Sequence, residues 1–280
     1  MPDTSQWFTE TSDATGSGFA LRVRRKLHEE QSRYQKIEIY ETTDWGNLMV
    51  IDDCIMLTTR DNFLYHEMMS HPALFTHPDP KRVVIIGGGD CGTLREVLRH
   101  PGVRQVTQID IDERVTRLSE TYFPELCESN DDPRAELLFI DGIKWMQQAE
   151  AASIDVIIVD STDPVGPGEV LFSEEFYRAC HDALQPDGLI VQQSESPLLH
   201  RALLKRIRHD MVSAGFAGTR TLQFPQPVYP GGWWSATMAM SLSAWPEPRY
   251  AEMGKIAGMR YFNRAIFDAS LALPAFMTEE

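Results

Sequence analysis

The sequence predicts an α/β protein in which a mostly parallel sheet carries helices on both faces and follows a small antiparallel β unit. After Lys81, short apolar runs alternate with helical patterns, and the runs are apolar almost throughout, as strands buried on both faces are. Before Leu57, apolar and polar residues alternate instead with a period of two, which is typical of antiparallel strands. We therefore expect an N-terminal β-strand domain in residues 1–58 and an α/β domain in residues 59–280.

The N-terminal unit has the pattern of a meander followed by a helix. Its segment QKIEIYETTDWGNLMVIDDCIML places Ile37 and Ile39 on one face, turns at DWGN and returns through Leu48 and Val50. A helix is then predicted from about Arg60 to Phe75, because apolar residues recur at helical spacing and prolines follow.

The α/β part is predicted to contain five central strands joined by helices. The strands are RVVIIG, QVTQIDI, AELLFID, DVIIVD and GLIVQQ, and the helices are TLREVLRH, RVTRLSETYF, GIKWMQQA and SEEFYRACHDAL. A further helix spans about Leu198 to Ala214, and TRTLQFPQPVYPGGWWSATMAM then forms an antiparallel pair that closes the sheet. In such a sheet, ligands bind beyond the carboxyl ends of the strands, near the topological switch point.

Composition and charge indicate which kinds of molecule this protein can bind. The net charge of −15, from 41 acidic and 26 basic residues, makes a nucleic-acid backbone a poor partner and a cation a better one. No apolar run reaches the roughly 18 residues that span a bilayer, and the first residues lack the pattern of a signal peptide. The four cysteines are widely spaced, without a C-x-x-C pair, so we expect free thiols and a cytoplasmic location.

Acidic residues recur where the predicted strands end. They follow the five strands in the order Asp90, Asp110, Asp141, Asp160 with Asp163, and Glu195. Since the carboxyl ends of parallel strands share one edge of a sheet, these carboxylates are candidates for contact with a ligand. Each acid alone can also be a helix N-cap or a turn residue, and that alternative stays open for every one of them.

The glycine turn in VVIIGGGDCGTLREVLRH has the form of a phosphate cradle but contains an acid. Asp90 would repel a pyrophosphate from the backbone donors of the turn. Asp110 stands about twenty residues further on, at the spacing where an acid binds ribose hydroxyls. Together they favour a nucleoside with a cationic group, such as the sulfonium of an S-adenosyl compound.

The segment IDVIIVDSTDPVGPGEVLF places two carboxylates, Asp160 and Asp163, three residues apart beside rigid prolines. Two acids this close can hold a diamine or share a proton. The same spacing also suits a capped turn that leads into the helix at Ser173, and the pattern by itself does not separate the two interpretations.

Four motifs follow one another along the chain: YHEMMSHPALFTHPDPKRVVIIGGGDCGTLREVLRHPGV, IDIDERV, the Asp141–Gly142 pair, and DVIIVDSTDPVGPGEVLF. Together they closely resemble the motifs of the spermidine synthases, the polyamine aminopropyltransferases, over about Tyr34 to Gly232. The resemblance implies a transferase with a Rossmann-like catalytic domain of the methyltransferase type. It would move the aminopropyl group of decarboxylated S-adenosylmethionine to putrescine, giving spermidine and methylthioadenosine, without a cofactor or metal.

The resemblance also implies roles for individual residues. Asp160 matches the catalytic acid, which would take a proton from the attacking amine and orient its nitrogen. Asp90 would hold the amine of the aminopropyl group, and Asp110, where the family usually has Glu, would bind the ribose. The further matches around the amine are Tyr65, His66, Asp163, Gln193 and Tyr229, and those around the nucleoside are Gln35, Gly87, Gly89, Asp141, Gly142 and Pro167.

Several residues depart from the family pattern or mimic another motif. Cys91 replaces a glycine, and a small thiol fits there if the backbone does not need a positive φ. Met56 stands where relatives often have Gln, which removes a hydrogen-bonding side chain near the amine. HEMMSH is similar to H-E-x-x-H, but His71 comes five residues after His66 rather than four, so we expect no zinc site.

Three alternatives to putrescine aminopropylation stay open from the sequence. The acceptor could be another amine, such as cadaverine or agmatine. A methyltransferase that uses S-adenosylmethionine would share the sheet and the glycine turn but would not need the paired acids of DSTDP. A non-catalytic polyamine-binding protein would keep the fold without turnover. Relatives form dimers or tetramers, so we expect a homodimer at least, joined through the N-terminal strands, and neither a nucleic acid nor a membrane as partner.

Overall fold

A computed structural model describes residues 6–162 and 166–278 of the chain. Its N-terminal part is a five-stranded antiparallel meander in sequential order. The strands are β1 (Trp7–Ser12), β2 (Ser17–Gln31), β3 (Lys36–Thr42), β4 (Asn47–Ile51) and β5 (Cys54–Thr58). Ile37, Ile39 and Met49 on one face of this sheet pack against Leu118 and Phe123 of the following α/β part. The two predicted apolar positions of β3 are therefore buried as expected.

The sequence patterns did not predict β1 or β2. β2 is fifteen residues long and pairs with both β1 and β3, yet Leu21 is its one fully buried position. Strand patterns are recognised by the alternation of buried apolar residues with polar ones. A hairpin that exposes most of both faces carries little of that alternation, so long-range pairing, rather than local pattern, decides its structure.

The second sheet has seven strands in the order β11-β12-β10-β9-β6-β7-β8. Its strands are β6 (Arg82–Gly87), β7 (Gln105–Asp110), β8 (Ala135–Phe139), β9 (Ile154–Asp160), β10 (Leu184–Gln193), β11 (Gly218–Pro225) and β12 (Trp233–Met240). β6 to β10 are parallel, whereas β12 runs antiparallel to both β10 and β11. This confirms the predicted Rossmann-like sheet of the methyltransferase type, with an antiparallel pair at one edge.

Helices cover both faces of this sheet. They are α1 (Asn62–Thr76), α2 (Gly92–Leu98), α3 (Glu113–Tyr122), α4 (Gly142–Gln147), α5 (Glu174–Ala183), α6 (Arg201–Ser213), α7 (Tyr250–Met253), α8 (Arg264–Ser270) and α9 (Ala275–Thr278). Short 3-10 helices span Gly166–Phe172 and Pro230–Gly232. Within the described ranges, no helix combines the length and the apolar character that crossing a membrane requires.

Successive residues of β6 explain why its sequence is apolar throughout. Val83 and Ile85 pack into the core that contains α1 and α2, while Val84 and Ile86 pack into the opposite core under α5 and α6. All four are at most 2% exposed. Burying each such side chain stabilises the fold by about 1.5–3 kcal/mol, so both faces of the strand must be apolar.

The C-terminal segment, which carries α7 to α9, is fastened to α1 by one carboxylate. Glu67 is 1% exposed and accepts hydrogen bonds from the backbone N–H groups of Arg260, Tyr261 and Phe262, at 2.7, 2.9 and 2.7 Å. Three N–H donors compensate for the cost of burying the charge. The acid of the HEMMSH motif thus has a structural partner at the far end of the chain.

Candidate active site

Asp160 lies at the carboxyl end of β9, between β6 and β10 in the middle of the sheet. Its Oδ1 accepts a hydrogen bond from the Tyr65 hydroxyl and its Oδ2 accepts one from the Thr93 hydroxyl, both at 2.6 Å. Burial and the negative charge of Asp90 raise the pKa of Asp160, while His66, Thr93 and Tyr65 oppose that rise. The result is a fixed carboxylate whose pKa is higher than that of an ordinary aspartate and which is therefore suited to accept a proton.

Asp90 and His66 form the second polar pair of the site. His66 Nε2 lies 3.2 Å from Asp90 Oδ2, and the Gly92 N–H donates to Asp90 Oδ1 at 2.7 Å. Burial by itself would raise the pKa of Asp90, but His66 and the Gly92 N–H outweigh it and hold the pKa below its usual value. Asp90 is therefore an anion at neutral pH.

The glycine turn is pressed against the strand that carries Asp160. Gly87 has a φ of +84°, and a Cβ there would lie 2.1 Å from the Asp160 carbonyl oxygen. Gly89 lies close to Asp110, since a Cβ on Gly89 would lie 2.8 Å from Asp110 Oδ2. These close approaches bring Asp90, Asp110 and Asp160 to one edge of the sheet, as the strand-end pattern predicted.

Cys91 does not meet the condition under which a thiol was expected to fit. Its φ is +68°, in the left-handed region that favours glycine, and it stands at the N-cap of α2. The side chain is fully buried, where it accepts from Gln108 Nε2 at 3.5 Å and lies 3.7 Å from the Gly89 carbonyl oxygen. The cysteine is thus accommodated in a backbone conformation that costs a non-glycine residue about 1–2 kcal/mol.

A further part of the site is formed around Asp110. Its Oδ1 accepts from the Asp112 N–H at 2.8 Å, and burial raises its pKa to about 6 in spite of that bond. Asp112 caps α3 and in turn accepts from Ser32 Oγ at 2.6 Å and Gln35 Nε2 at 3.0 Å. Gln35, in the loop before β3, is therefore joined to the same turn that holds Asp110, through Asp112.

Asp141 is the N-cap of α4, as the alternative interpretation allowed. Its Oδ1 accepts from the N–H groups of Ile143 and Lys144, and its Oδ2 lies 3.2 Å from the Lys144 ammonium. Burial opposes the lowering of its pKa, but these donors prevail and the pKa falls below the usual value. Gly142 packs closely on the end of β6, because a Cβ there would lie 3.0 Å from Ile86. Capping and a ligand contact remain compatible, since a third of the Asp141 side chain is exposed.

A cleft opens beside Tyr65 and Ser161, the hydrogen-bond partner and the chain neighbour of Asp160. It is lined by Glu10, Cys54, Ile55, Met56, Tyr65, Ser161, Thr162, Gln193, Tyr229, Pro230 and Trp234. Three of the predicted amine contacts, Tyr65, Gln193 and Tyr229, are brought together here. Tyr229 donates to the Met56 carbonyl oxygen at 2.6 Å and packs edge-on against Trp234, with 4.7 Å between ring centroids.

Glu10 and Trp234 are among the lining residues that were not predicted as site residues. Glu10 on β1 enters the cleft and accepts from the Ile55 N–H at 2.8 Å, a contact between residues 45 positions apart. Trp234 is both buried and part of the cleft wall. The acid pattern that revealed the strand ends offers no signal for Glu10, because β1 belongs to the exposed hairpin.

Other candidates lie elsewhere or outside the described residues. Glu195 turns back on its own strand, where its N–H donates to Gln193 Oε1 at 3.1 Å, and its carboxylate lies 3.2 Å from His200. Asp163 falls outside the described residues. Pro167 belongs to the 3-10 helix Gly166–Phe172 that follows.

The second histidine of HEMMSH is engaged in the protein core. His71 Nδ1 lies 2.9 Å from His100 Nε2, and His71 Nε2 lies 3.2 Å from Glu96 Oε2. All three side chains are at most 3% exposed. This network joins α1 to α2 and to the residues after it, and none of its members lines the cleft.

Family models and relatives agree on one enzyme class. Residues 62–245 match the spermine/spermidine synthase domain, and residues 6–59 match the spermidine synthase tetramerisation domain. A polyamine aminopropyltransferase of Methylococcus capsulatus is 59% identical over 276 residues, covering 99% of this chain and 97% of that protein. The enzyme of the same description from Thioalkalivibrio sulfidiphilus is 60% identical over 276 residues, covering 98% and 97%.

Solved structures agree on the fold and on the class. A spermidine synthase in complex with the transition state analogue AdoDATO superposes with a TM-score of 0.92 at 35% identity, covering 99% of this chain and 94% of that one. Spermidine synthase from Thermotoga maritima superposes with a TM-score of 0.90, also at 35% identity and with the same coverage.

Proposed function

Because the chain belongs to the spermine/spermidine synthase family and is a polyamine aminopropyltransferase, we propose that Asp160 is its general base for transfer to putrescine. The observation that carries this assignment is the pair of fixed donors on Asp160, Tyr65 and Thr93, beside an open cleft. They set the direction of the carboxylate without pairing it with a cation. The carboxylate can therefore receive a proton from an amine in the cleft.

The nucleoside of decarboxylated S-adenosylmethionine would lie along the edge between the glycine turn and α4. Asp110 would accept from the ribose hydroxyls, with Gln35 beside it and Gly87 and Gly89 allowing close approach. Asp141, Gly142 and Pro167 would line the adenine. The close approach of Gly89 to Asp110, and the bonds of Asp112 to both Asp110 and Gln35, support this placement.

The aminopropyl chain would extend from the sulfonium toward Asp90, which would bind its terminal ammonium together with His66. An anion at this place suits a cationic tail and repels a phosphate. The sulfonium and the ammonium thus bracket the carbon that is attacked, and both ends of the chain are fixed before the reaction.

Putrescine would occupy the cleft, with one nitrogen facing Asp160 and the carbon chain against Tyr65 and Tyr229. Gln193 and Asp163 would complete the contacts of the reacting end. Glu10 is also part of the lining and would supply a carboxylate for the distal ammonium. The apolar wall from Ile55 and Met56 suits the methylene groups between the two nitrogens.

The chemistry follows from the charges. An alkylammonium has a pKa of about 10, so the reacting nitrogen must lose a proton before its lone pair can attack. Asp160 takes that proton, and the nitrogen attacks the carbon next to sulfur in line with the breaking C–S bond. The bonding pair leaves with sulfur, which becomes the neutral thioether of methylthioadenosine. No oxyanion forms in this displacement, and its leaving group is already activated by the positive charge on sulfur.

The proposal also covers the domain boundaries and the oligomeric state of the protein. The N-terminal sheet in residues 1–58 would form a domain that joins copies into a homodimer or homotetramer, and residues 59–280 would form the catalytic domain. The match of residues 6–59 to a tetramerisation domain supports an oligomer. Light scattering tests this, and a monomer at micromolar concentration would contradict it. A cytoplasmic location belongs to the same proposal.

The test is a turnover assay with decarboxylated S-adenosylmethionine and putrescine. We expect equimolar spermidine and methylthioadenosine, and we expect Asp160→Asn to lower kcat about 10²–10⁴-fold while methylthioadenosine still binds. The exposed Asp131→Asn serves as the matched control and should behave as the parent. Cadaverine and agmatine in the same assay identify the preferred acceptor.

Other outcomes separate the alternatives. Methyl transfer from S-adenosylmethionine without methylthioadenosine formation would indicate a methyltransferase. Polyamine binding by a parent protein that shows no turnover would indicate a binding protein. Either result would overturn the proposed function.

A further inference from the structure

His66 is bound to Asp90 by one nitrogen and is enclosed on all other sides. Its ring is 1% exposed, Nε2 lies 3.2 Å from Asp90 Oδ2, and the buried Nδ1 has no hydrogen-bond partner among the described residues. Asp90 is therefore the hydrogen-bonded group that favours a protonated imidazole here. The two side chains form an ion pair when His66 carries a proton.

The charges around His66 come from several elements and mostly favour its protonation. Burial lowers the pKa of His66, but Asp90 of the glycine turn and Asp160 of β9 outweigh it, against a smaller opposing effect of Arg95 on α2, and the pKa rises. Two further titratable groups, from the start of α1 and the residue before it, also lie near His66. They are Asp61, which precedes α1, and the adjacent Tyr65, whose ring packs edge-on against the imidazole.

The imidazole has no room to move toward α2. A Cβ on Gly92 would lie 2.2 Å from Cε1 and 2.3 Å from Nδ1, so the ring rests directly on the Gly92 backbone. The same glycine donates its N–H to Asp90 Oδ1, which leaves Oδ2 shared with His66. A second cation that approaches Asp90 would therefore meet the positive charge of His66 at short range.

We propose that His66 is a proton-exchanging counter-ion of Asp90, which loses its proton to solvent when the primary ammonium of the nucleoside substrate binds Asp90. The inference rests on the proposed function, since it assumes that this ammonium lies at Asp90. Before binding, the pair is imidazolium and carboxylate; afterwards it is neutral imidazole, carboxylate and the substrate's ammonium, with one proton released. No bond other than N–H breaks, and the total charge is unchanged. The Asp90 side chain is 17% exposed, which gives the proton contact with water.

The exchange makes substrate affinity depend on pH in a defined direction. Because binding releases a proton, the affinity for decarboxylated S-adenosylmethionine rises about tenfold per pH unit below the pKa of His66 and becomes constant above it. Methylthioadenosine carries no ammonium and leaves the His66–Asp90 pair intact, so its affinity does not follow this dependence. The proton exchange at His66 and Asp90 also favours substrates that carry a positive charge.

Isothermal titration calorimetry at a pH of about 6.5, in two buffers with different ionisation enthalpies, measures the protons released. At this pH a histidine with a raised pKa is more than half protonated, so we expect the parent to release about half a proton to one proton more with decarboxylated S-adenosylmethionine than with methylthioadenosine. Both nucleosides meet Asp110 alike, so its titration cancels in this difference. His66→Gln keeps a hydrogen-bond donor for Asp90 but cannot be protonated, so the difference should fall to about zero. Asp160→Asn is the second control, because Asp160 can also release a proton when a cation binds; its variant should retain most of the difference, reduced only by loss of the Asp160 charge that also favours protonation of His66.

The outcomes distinguish this inference from the proposed function. Undiminished proton release in His66→Gln, or release that disappears in Asp160→Asn alone, overturns the role of His66. Release with methylthioadenosine equal to that with the aminopropyl nucleoside overturns it as well. A parent that turns over putrescine without releasing a proton on binding contradicts only this inference, whereas a parent without turnover contradicts the proposed function. Methylthioadenosine binding by His66→Gln shows that the variant is folded.

Discussion

Tyr65 donates its hydroxyl proton to Oδ1 of Asp160 at 2.6 Å, although the two residues are 95 positions apart in the sequence. Burial and the negative charge of Asp160 raise the pKa of Tyr65 well above its usual value. The phenol therefore stays protonated at neutral pH and acts as a hydrogen-bond donor. This favours a role in holding the Asp160 carboxylate over one in receiving a proton from the proposed amine substrate.

Tyr65→Phe should move the acidic limb of the pH–rate profile to higher pH. Asp160 must be ionised to act as base, so turnover falls as pH decreases through its raised pKa. The Tyr65 hydrogen bond lowers that pKa, and its loss should raise the limb by about 1 pH unit, the equivalent of one charge-assisted hydrogen bond. The measurement is kcat against pH. Thr93→Val, which removes the donor on Oδ2, should shift the limb in the same direction, and a limb that moves to lower pH in either variant would contradict the assignment.

Glu10→Gln should weaken putrescine binding without affecting the nucleoside. The amide keeps an acceptor for the Ile55 N–H but loses the charge that faces the distal ammonium. We expect the KM for putrescine to rise about tenfold, as for the loss of one bond to a charged group. The matched control is 1-aminobutane, which lacks the distal nitrogen and should show a nearly unchanged KM. An equal rise for both amines would mean that Glu10 acts through the β1–β5 contact instead.

Gly89→Ala should lower the affinity for the nucleoside. The new Cβ would lie 2.8 Å from Asp110 Oδ2 and 3.0 Å from Val115, so the carboxylate that we propose binds the ribose has to shift. We expect methylthioadenosine to bind about tenfold more weakly, the equivalent of a modest overpacking cost. Gly254→Ala introduces the same methyl group where nothing lies within 4 Å and should bind as the parent does. Equal affinities for the two variants would show that Asp110 does not bind the ribose.

Comparing two replacements of Cys91 that both lack the thiol should measure how much its backbone conformation destabilises the protein. At a φ of +68°, alanine bears a cost of about 1–2 kcal/mol, partly offset by the extra chain entropy of glycine, about 0.5–1 kcal/mol. Cys91→Gly should therefore be more stable than Cys91→Ala by about 0.5–1 kcal/mol in urea unfolding. Both variants lose the thiol contacts equally. An alanine variant that is as stable as the glycine variant would show that the turn relaxes to another conformation.

The sequence predicted the central sheet and three of its site acids because both depend on local pattern. Strands buried on both faces must be apolar throughout, as β6 is, and parallel strands end at one edge of the sheet. Asp90, Asp110 and Asp160 could therefore be grouped before any coordinates. The same pattern included Glu195, which the structure turns back toward Gln193 and His200.

Other parts of the site depend on contacts between distant segments, which no local pattern reveals. Glu10 reaches the cleft through the pairing of β1 with β2 and a bond to Ile55. The positive φ of Cys91 belongs to the turn between β6 and α2, and a cysteine in the sequence gives no sign of it. Gln35 reaches the part of the site around Asp110 through Asp112, 77 positions away.

The contacts of Glu67 imply that part of the site can form only after a later segment of the chain has been synthesised. Glu67 is the residue after His66, and its three backbone partners begin at Arg260, 193 positions further along. A nascent chain that has not yet reached Arg260 would have to bury this carboxylate without its donors if α1 took its final position. We therefore expect the helix with Tyr65 and His66 to settle only after residues 260–262 have been made, so a chain cut short before Arg260 should not form the site around Asp90 and Asp160.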